Sequence, residues 1–154
     1  MVTPRKFLEH SLYFGMRYHH TKNKGDLGVL KAQADLCSKG YLVCLPLSEH
    51  APFDLVIFKD GVFKWVQIKT RTLKNGKLSV RFEHSYSDSK GVHTRKIDIE
   101  SVDIYCVYCL NNDQCYYFST KVIASKTTLD LRVETPKNNQ SSKIRWASDY
   151  QEVP

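Results

Sequence analysis

Two apolar runs, residues 53–58 and 62–70, flank the dipeptide Asp60-Gly61. Asp-Gly accepts the positive φ values that a type I′ turn demands, so the pair is a strong short-range hairpin signal. A two-residue turn fixes the register: Lys59 faces Val62, and Asp54 then lies directly opposite Gln67. Opposed residues project to one face with Cβ atoms roughly 4.5–5.5 Å apart, and Lys69, two residues further on, shares that face. The hairpin therefore gathers a carboxylate, an amide and an ammonium among Phe53, Leu55, Val56, Val66 and Ile68.

The surrounding chain predicts one helix and several strands. From residue 26 to 39 apolar side chains fall at Leu27, Leu30, Ala34 and Cys37, a helical stripe that Gly40 ends. Lys22 and Lys24 stand before that helix. Strands are expected at residues 41–45, 53–58, 62–70, 78–83, 102–110, 115–119 and 129–133, with polar loops or a polar hairpin at 72–77 and 85–94. Residues 1–20 read as an aromatic-rich leader and residues 141–154 as irregular tail. One helix followed by many strands implies a mixed α/β sheet domain, and 154 residues suffice for a single domain spanning 1–154.

Composition narrows the function classes. Lys and Arg number 23 against 16 Asp and Glu, a net charge of +7 that favours a polyanionic partner. The longest apolar runs are too short to cross a bilayer, and Glu9, His10 and Arg17 interrupt any signal-like stretch. Five scattered cysteines suit a reduced, cytoplasmic protein. Cys106, Cys109 and Cys115 lack a fourth ligand at zinc-finger spacing, and the odd Cys106–Cys109 interval sends the two to opposite faces of a strand, so buried thiols are expected. There is no Gly-rich phosphate loop and no Ser/His/Asp or Cys/His arrangement for acyl transfer.

Two readings of the hairpin cluster compete. The plain one is an Asp54–Lys69 ion pair on a wet sheet face. The sharper one is a metal-dependent phosphodiesterase site, because carboxylate and carbonyl oxygens suit a hard cation such as Mg²⁺ and a neighbouring ammonium offsets phosphorane charge.

Pro52-Phe53-Asp54 followed by Gln67-Ile68-Lys69 across a hairpin resembles the glutamine-containing form of the PD-(D/E)XK nuclease signature. The likeness is to small homing endonucleases encoded in bacterial group I introns. Further segments that resemble that family are Lys24-Gly25-Asp26-Leu27-Gly28, Leu45-Pro46-Leu47-Ser48-Glu49-His50, Leu131-Arg132-Val133 and Lys143-Ile144-Arg145-Trp146, so the resemblance spans residues 21–150. It implies a restriction-endonuclease-like core, a mixed central sheet flanked by helices, with Mg²⁺ held by Asp54, the Gln67 amide oxygen and the Ile68 carbonyl. Lys69 would position or polarise the attacking water.

The superfamily also places an acid on its first helix, and here the sequence departs: the aligned position is Val29. Asp26, one turn earlier on the same face, is the candidate substitute, although a first-turn Asp is commonly a cap. Glu9 and Glu49 are weaker alternatives. Neutral Gln67 leaves less charge to hold the metal, so metal affinity should rise when substrate phosphate arrives.

Phosphate contacts are expected from Lys22, Lys24, Arg71, Lys74, Lys77, Arg81, Lys90, Arg95 and Lys96. His50 is expected in a surface loop. The expected activity is site-specific cleavage of a long double-stranded DNA target. Alternatives are a Holliday-junction resolvase, a restriction or repair nuclease, and a DNA-binding protein without catalysis, which Val29 supports. A chain of this size presents too little surface to read a long site and cut two strands alone, so a homo-oligomer is expected, at least a dimer, and the resemblance favours a tetramer. The segments 102–110 and 115–119 are candidate interface elements.

Overall fold

The computed structural model describes residues 19–48, 50–96, 101–123, 127–136 and 142–154. Most of the leader, with Glu9, lies outside this set, as does Glu49. Along the described chain run α1 (His20–Ser38), β1 (Leu42–Cys44), β2 (Leu55–Lys59), β3 (Val62–Arg71), β4 (Lys77–Arg81), β5 (Glu83–Asp88), β6 (Gly91–Lys96), β7 (Ile104–Cys109), β8 (Gln114–Ser119) and β9 (Thr128–Arg132). The expected strands are all present, most shifted by a residue or two at their ends, where backbone pairing rather than composition sets the limit.

The hairpin forms in the expected register, with Lys59 paired to Val62 and Leu55 to Val66. Asp60 and Gly61 have φ of 52° and 79°, the two left-handed residues of a type I′ turn. A second such turn joins β3 to β4: Asn75 and Gly76 have φ of 51° and 70°, and Lys74 bridges Lys77. Residues 85–94 belong to a polar hairpin, β5 against β6.

Five strands make the central sheet in the order β1-β2-β3-β7-β8. It is mixed, because β3 and β7 run parallel while the other neighbours are antiparallel. Alternation along β3 splits the chain's apolar residues between two layers. Val66 and Ile68 face α1 and pack with Ala32, Leu36, Leu55, Ile57, Ile104, Cys106 and Tyr117. On the other face Tyr105, Val107, Cys109 and Phe118 are covered by Leu78, Val80, Leu129 and Leu131 of the β4–β9 pair.

The helix departs from expectation at both its start and its buried face. It begins at His20, so Lys22 and Lys24 lie within it. Its buried residues are Gly28, Ala32 and Leu36, whereas Leu27 and Leu30 are 39% and 62% exposed and Cys37 is exposed too. The reason is close approach. A Cβ on Gly28 would stand 2.0 Å from Thr70 Oγ1, so the helix meets the sheet along its smallest residues and its bulky leucines are turned aside.

Cys106 and Cys109 do fall in opposite layers, and all five cysteines are free thiols. β7 is buried along its whole length inside this sheet, which removes it as an interface element; β8 is the edge strand. The tail is largely irregular but anchored: Ala147–Tyr150 form a 3-10 turn, Ala147 is buried, and Trp146 bridges Arg132. No described helix is long and apolar enough to cross a membrane.

Candidate active site

The polar cluster sits where the hairpin comes apart. β2 pairs with β3 only from Val62 to Val66, so residues 67–71 run on past the end of β2 with that edge uncovered. Asp54 lies at the mouth of the gap. Its N–H donates to Val66 O at 2.9 Å, and the preceding Phe53 stacks on Trp65 with ring planes 7° apart, which anchors the segment that presents the carboxylate.

Asp54 Oδ2 accepts hydrogen bonds from Gln67 Nε2 and, at 2.6 Å, from the Ile68 N–H. Its other oxygen, Oδ1, has no hydrogen-bond donor among the described residues. In an extended strand the N–H and C=O of one residue point to the same edge. The Ile68 carbonyl therefore opens on the edge that carries Asp54. One carboxylate oxygen, one backbone carbonyl and, on rotation of its amide, the Gln67 oxygen converge on this gap. That donor set suits a hard divalent cation. No group of three or more His, Cys, Asp or Glu side chains that could hold a metal occurs among the described residues, so a cation here would rely on amide and backbone oxygens.

The electrostatics are those of a partly buried site. Burial pushes the Asp54 carboxyl above its usual range, against the opposing pull of the Ile68 N–H, the Lys69 charge and the Gln67 amide. Burial likewise lowers Lys69; Asp54 opposes that shift and Arg71 adds to it. Lys69 forms no ion pair with a described residue, so the plain expectation of an Asp54–Lys69 salt bridge is not met. Its ammonium acts on Asp54 at longer range and remains available to a ligand. Arg71, on the same face, is also lowered by burial and donates to Thr70 O at 2.9 Å.

The remaining candidates come from other elements. Asp26 is exposed on α1, the helix that covers the opposite face of the sheet, and is not among the groups that act on Asp54. Val29 packs against the helix-side core. His50 is exposed, its N–H donating to Ser48 Oγ at 3.2 Å. Lys22 is exposed on α1 and Lys24 is half-buried there, whereas Lys74, Lys77 and Arg81 are exposed on the opposite layer and Lys90 at the β5–β6 turn. Arg95 and Lys96 lie on β6, and the placement of their side chains is outside the described set.

A mixed sheet with the carboxylate at the parting of a hairpin and Gln-x-Lys on its longer strand defines a PD-(D/E)XK nuclease core. The sequence matches the PD-(D/E)XK endonuclease family over residues 19–153, nearly the whole chain, and the protein belongs to that family. Among solved structures it is similar to that of the bacterial homing endonuclease I-Ssp6803I, with a TM-score of 0.72 and 24% sequence identity, covering 86% of this chain and 89% of that one. No curated protein sequence matches it.

Proposed function

We propose that the protein is a Mg²⁺-dependent DNA endonuclease that cuts both strands of a long duplex target in intron homing, acting as a homo-oligomer of two or four chains. The observation that carries this reading is the meeting of the Asp54 carboxylate with the Gln67 amide and the Ile68 backbone, beside Lys69, at the uncovered edge of β3. The net charge of +7 favours a polyanionic substrate. The homing role rests on the likeness of fold to a bacterial homing endonuclease and on the sequence segments that resemble such enzymes.

Asp54, Gln67 and the Ile68 carbonyl would hold the cation. When bound, it supplies positive charge at the scissile phosphate and acidifies a water. The chain's own groups do the rest. Asp54 must shed its proton to bind metal, and the burial that raises its pKa makes it selective for a positive ligand. Lys69, with its proton held less firmly than an exposed lysine's, orients the attacking water and offsets charge that grows on the phosphate. Neutral Gln67 leaves the site short of negative charge, which substrate phosphate completes. Asp26, two residues before the Gly28 that meets Thr70 and Ile68, would be the α1 acid that supplements these ligands in place of Val29.

Incubation of the purified protein with Mg²⁺ and either duplex DNA from the host's intron-insertion region or a four-way junction tests the reading. Double-strand cuts in the duplex, abolished by a chelator, are expected. Junction cleavage without duplex cleavage would make the protein a resolvase, and loss of both would leave only a DNA-binding role.

A further inference from the structure

The sequence segments Leu131-Arg132-Val133 and Lys143-Ile144-Arg145-Trp146 have no part in the metal cluster, yet the fold brings them together. Arg132 N–H donates to Arg145 O at 2.8 Å, and Arg132 bridges Trp146 in parallel. Between them and β4 lies a cleft of ≈ 350 Å³ lined by Lys77, Arg132, Lys143 and Arg145, with Asp130 the one acid. Asp130 accepts a hydrogen bond from Ser79 at 2.6 Å, and one Arg132 N–H is spent on Asn75 O at 2.8 Å. Lys77, Lys143 and Arg145 form no ion pair with a described residue.

This arrangement is unfavourable for an empty cleft. Lys77 and Arg132 are direct partners across the β4–β9 pair, and like charges so opposed destabilise a sheet. Four cations around one concavity concentrate a positive field that an anion relieves. The guanidinium forks of Arg132 and Arg145 match a tetrahedral oxyanion in shape.

We propose that this cleft holds a backbone phosphate of the DNA substrate, apart from the bond that is cut. The inference rests on the endonuclease reading above and adds a second contact point to it. Position supports DNA over a free phosphate. The β4–β9 pair covers the same sheet face that carries Lys69, and the chain passes from β3 through the Asn75-Gly76 turn to the cleft's edge at Lys77. Eight residues of chain can span no more than about 28 Å, which is less than the roughly 34 Å turn of B-DNA. Lys77, Asp130 and Arg132 lie on the outer face of the β4–β9 pair, opposite Leu78, Val80, Leu129 and Leu131, so the cleft opens to solvent where the flank of a duplex that passes the edge of the pair to reach Lys69 can enter it.

The test is the anisotropy of a fluorescent random-sequence duplex, about 30 base pairs long, titrated with the full chain across a range of KCl concentrations. Replacing Lys143 and Arg145 together by Gln should lower the slope of log K against log salt by about 0.9 and weaken binding about eightfold at 0.1 M salt, the effect of one phosphate contact. Lys77→Gln should reduce the slope in the same direction and, by removing a like-charge pair, melt no lower than wild type; it is the variant to use if the double substitution fails to fold. Lys121→Gln, an exposed lysine outside the cleft, should change neither quantity. A wild-type slope in the folded double variant or in Lys77→Gln would overturn the proposal and leave the endonuclease reading standing. Absence of any salt-dependent binding by the wild type would remove both. NMR shifts at Lys143 and Arg145 on adding inorganic phosphate, undisturbed by excess duplex, would make the cleft a free-phosphate site and equally overturn the proposal.

Discussion

Gly28→Ala tests the packing that sets α1 on the sheet. In a free helix this change gains about 1 kcal/mol of helix propensity. Here the new methyl would sit 2.0 Å from Thr70 Oγ1 and 3.3 Å from Thr70 Cβ. Ordinary contact begins near 3.4 Å, so helix and strand must separate by more than an ångström or Thr70 must leave its rotamer. Overpacking of this kind costs about 1–3 kcal/mol, and a misfit this large belongs at or above the upper end. After the propensity gain is subtracted, a net loss of about 2 kcal/mol is expected, which for a domain of this size lowers Tm by about 4–8 °C. Thr70→Ala removes the offending oxygen, and because that hydroxyl is buried without a hydrogen-bond partner among the described residues the single change should cost little. The double variant should recover most of the loss. Thermal and urea melts of the four proteins complete the cycle. Gly28→Ala at or above wild-type stability, or a double variant no better than the single, would refute the close-approach argument.

Further outcomes follow from the same geometry. Because the folded pKa of Asp54 is raised, the native state holds its proton over the interval from 3.8 up to that folded pKa; stability relative to Asp54→Asn should fall as pH climbs through that window, and urea melts of both proteins at stepped pH check it. Binding to duplex DNA should weaken as salt rises, by about 0.9 log units per log unit of salt for each phosphate contacted, and a salt-independent affinity would contradict the role given to the basic residues. Small-angle scattering should report a dimer or tetramer with target DNA, and a monomer both free and bound would remove the assembly from the account.

Local chemistry made part of this protein legible. The Asp60-Gly61 turn fixed a register, and register alone placed Asp54 opposite Gln67, as the folded chain has it. Strand periodicity likewise predicted that Cys106 and Cys109 would part to separate layers. What failed depended on contacts distant in sequence. Counting apolar side chains chose the Leu27/Leu30 face of α1, because the close approach of Gly28 to Thr70 is a property of the packed pair rather than of the helix. The Asp54–Lys69 ion pair was a fair inference from shared faces, but the Ile68 N–H and the Gln67 amide reach the carboxylate instead. The basic cleft was invisible for the same reason: Lys77, Arg132 and Arg145 are scattered in sequence, and an Asn75-Gly76 turn and a tail bridge to Arg132 unite them.

The central claim, that Asp54 and Lys69 act on a scissile phosphate, is tested most directly by single-turnover cleavage of a duplex target with Asp54→Asn and Lys69→Ala in saturating Mg²⁺. Each should lose about 10²–10³ in rate, the scale of one electrostatic contact of about 2.7–4 kcal/mol at a reacting centre. Both should melt as folded proteins and bind duplex, Asp54→Asn as tightly as wild type or more so, since it sheds a negative charge beside phosphate. Cleavage by both variants at the wild-type rate would contradict the assignment, and unfolding of both would make the cluster a structural one.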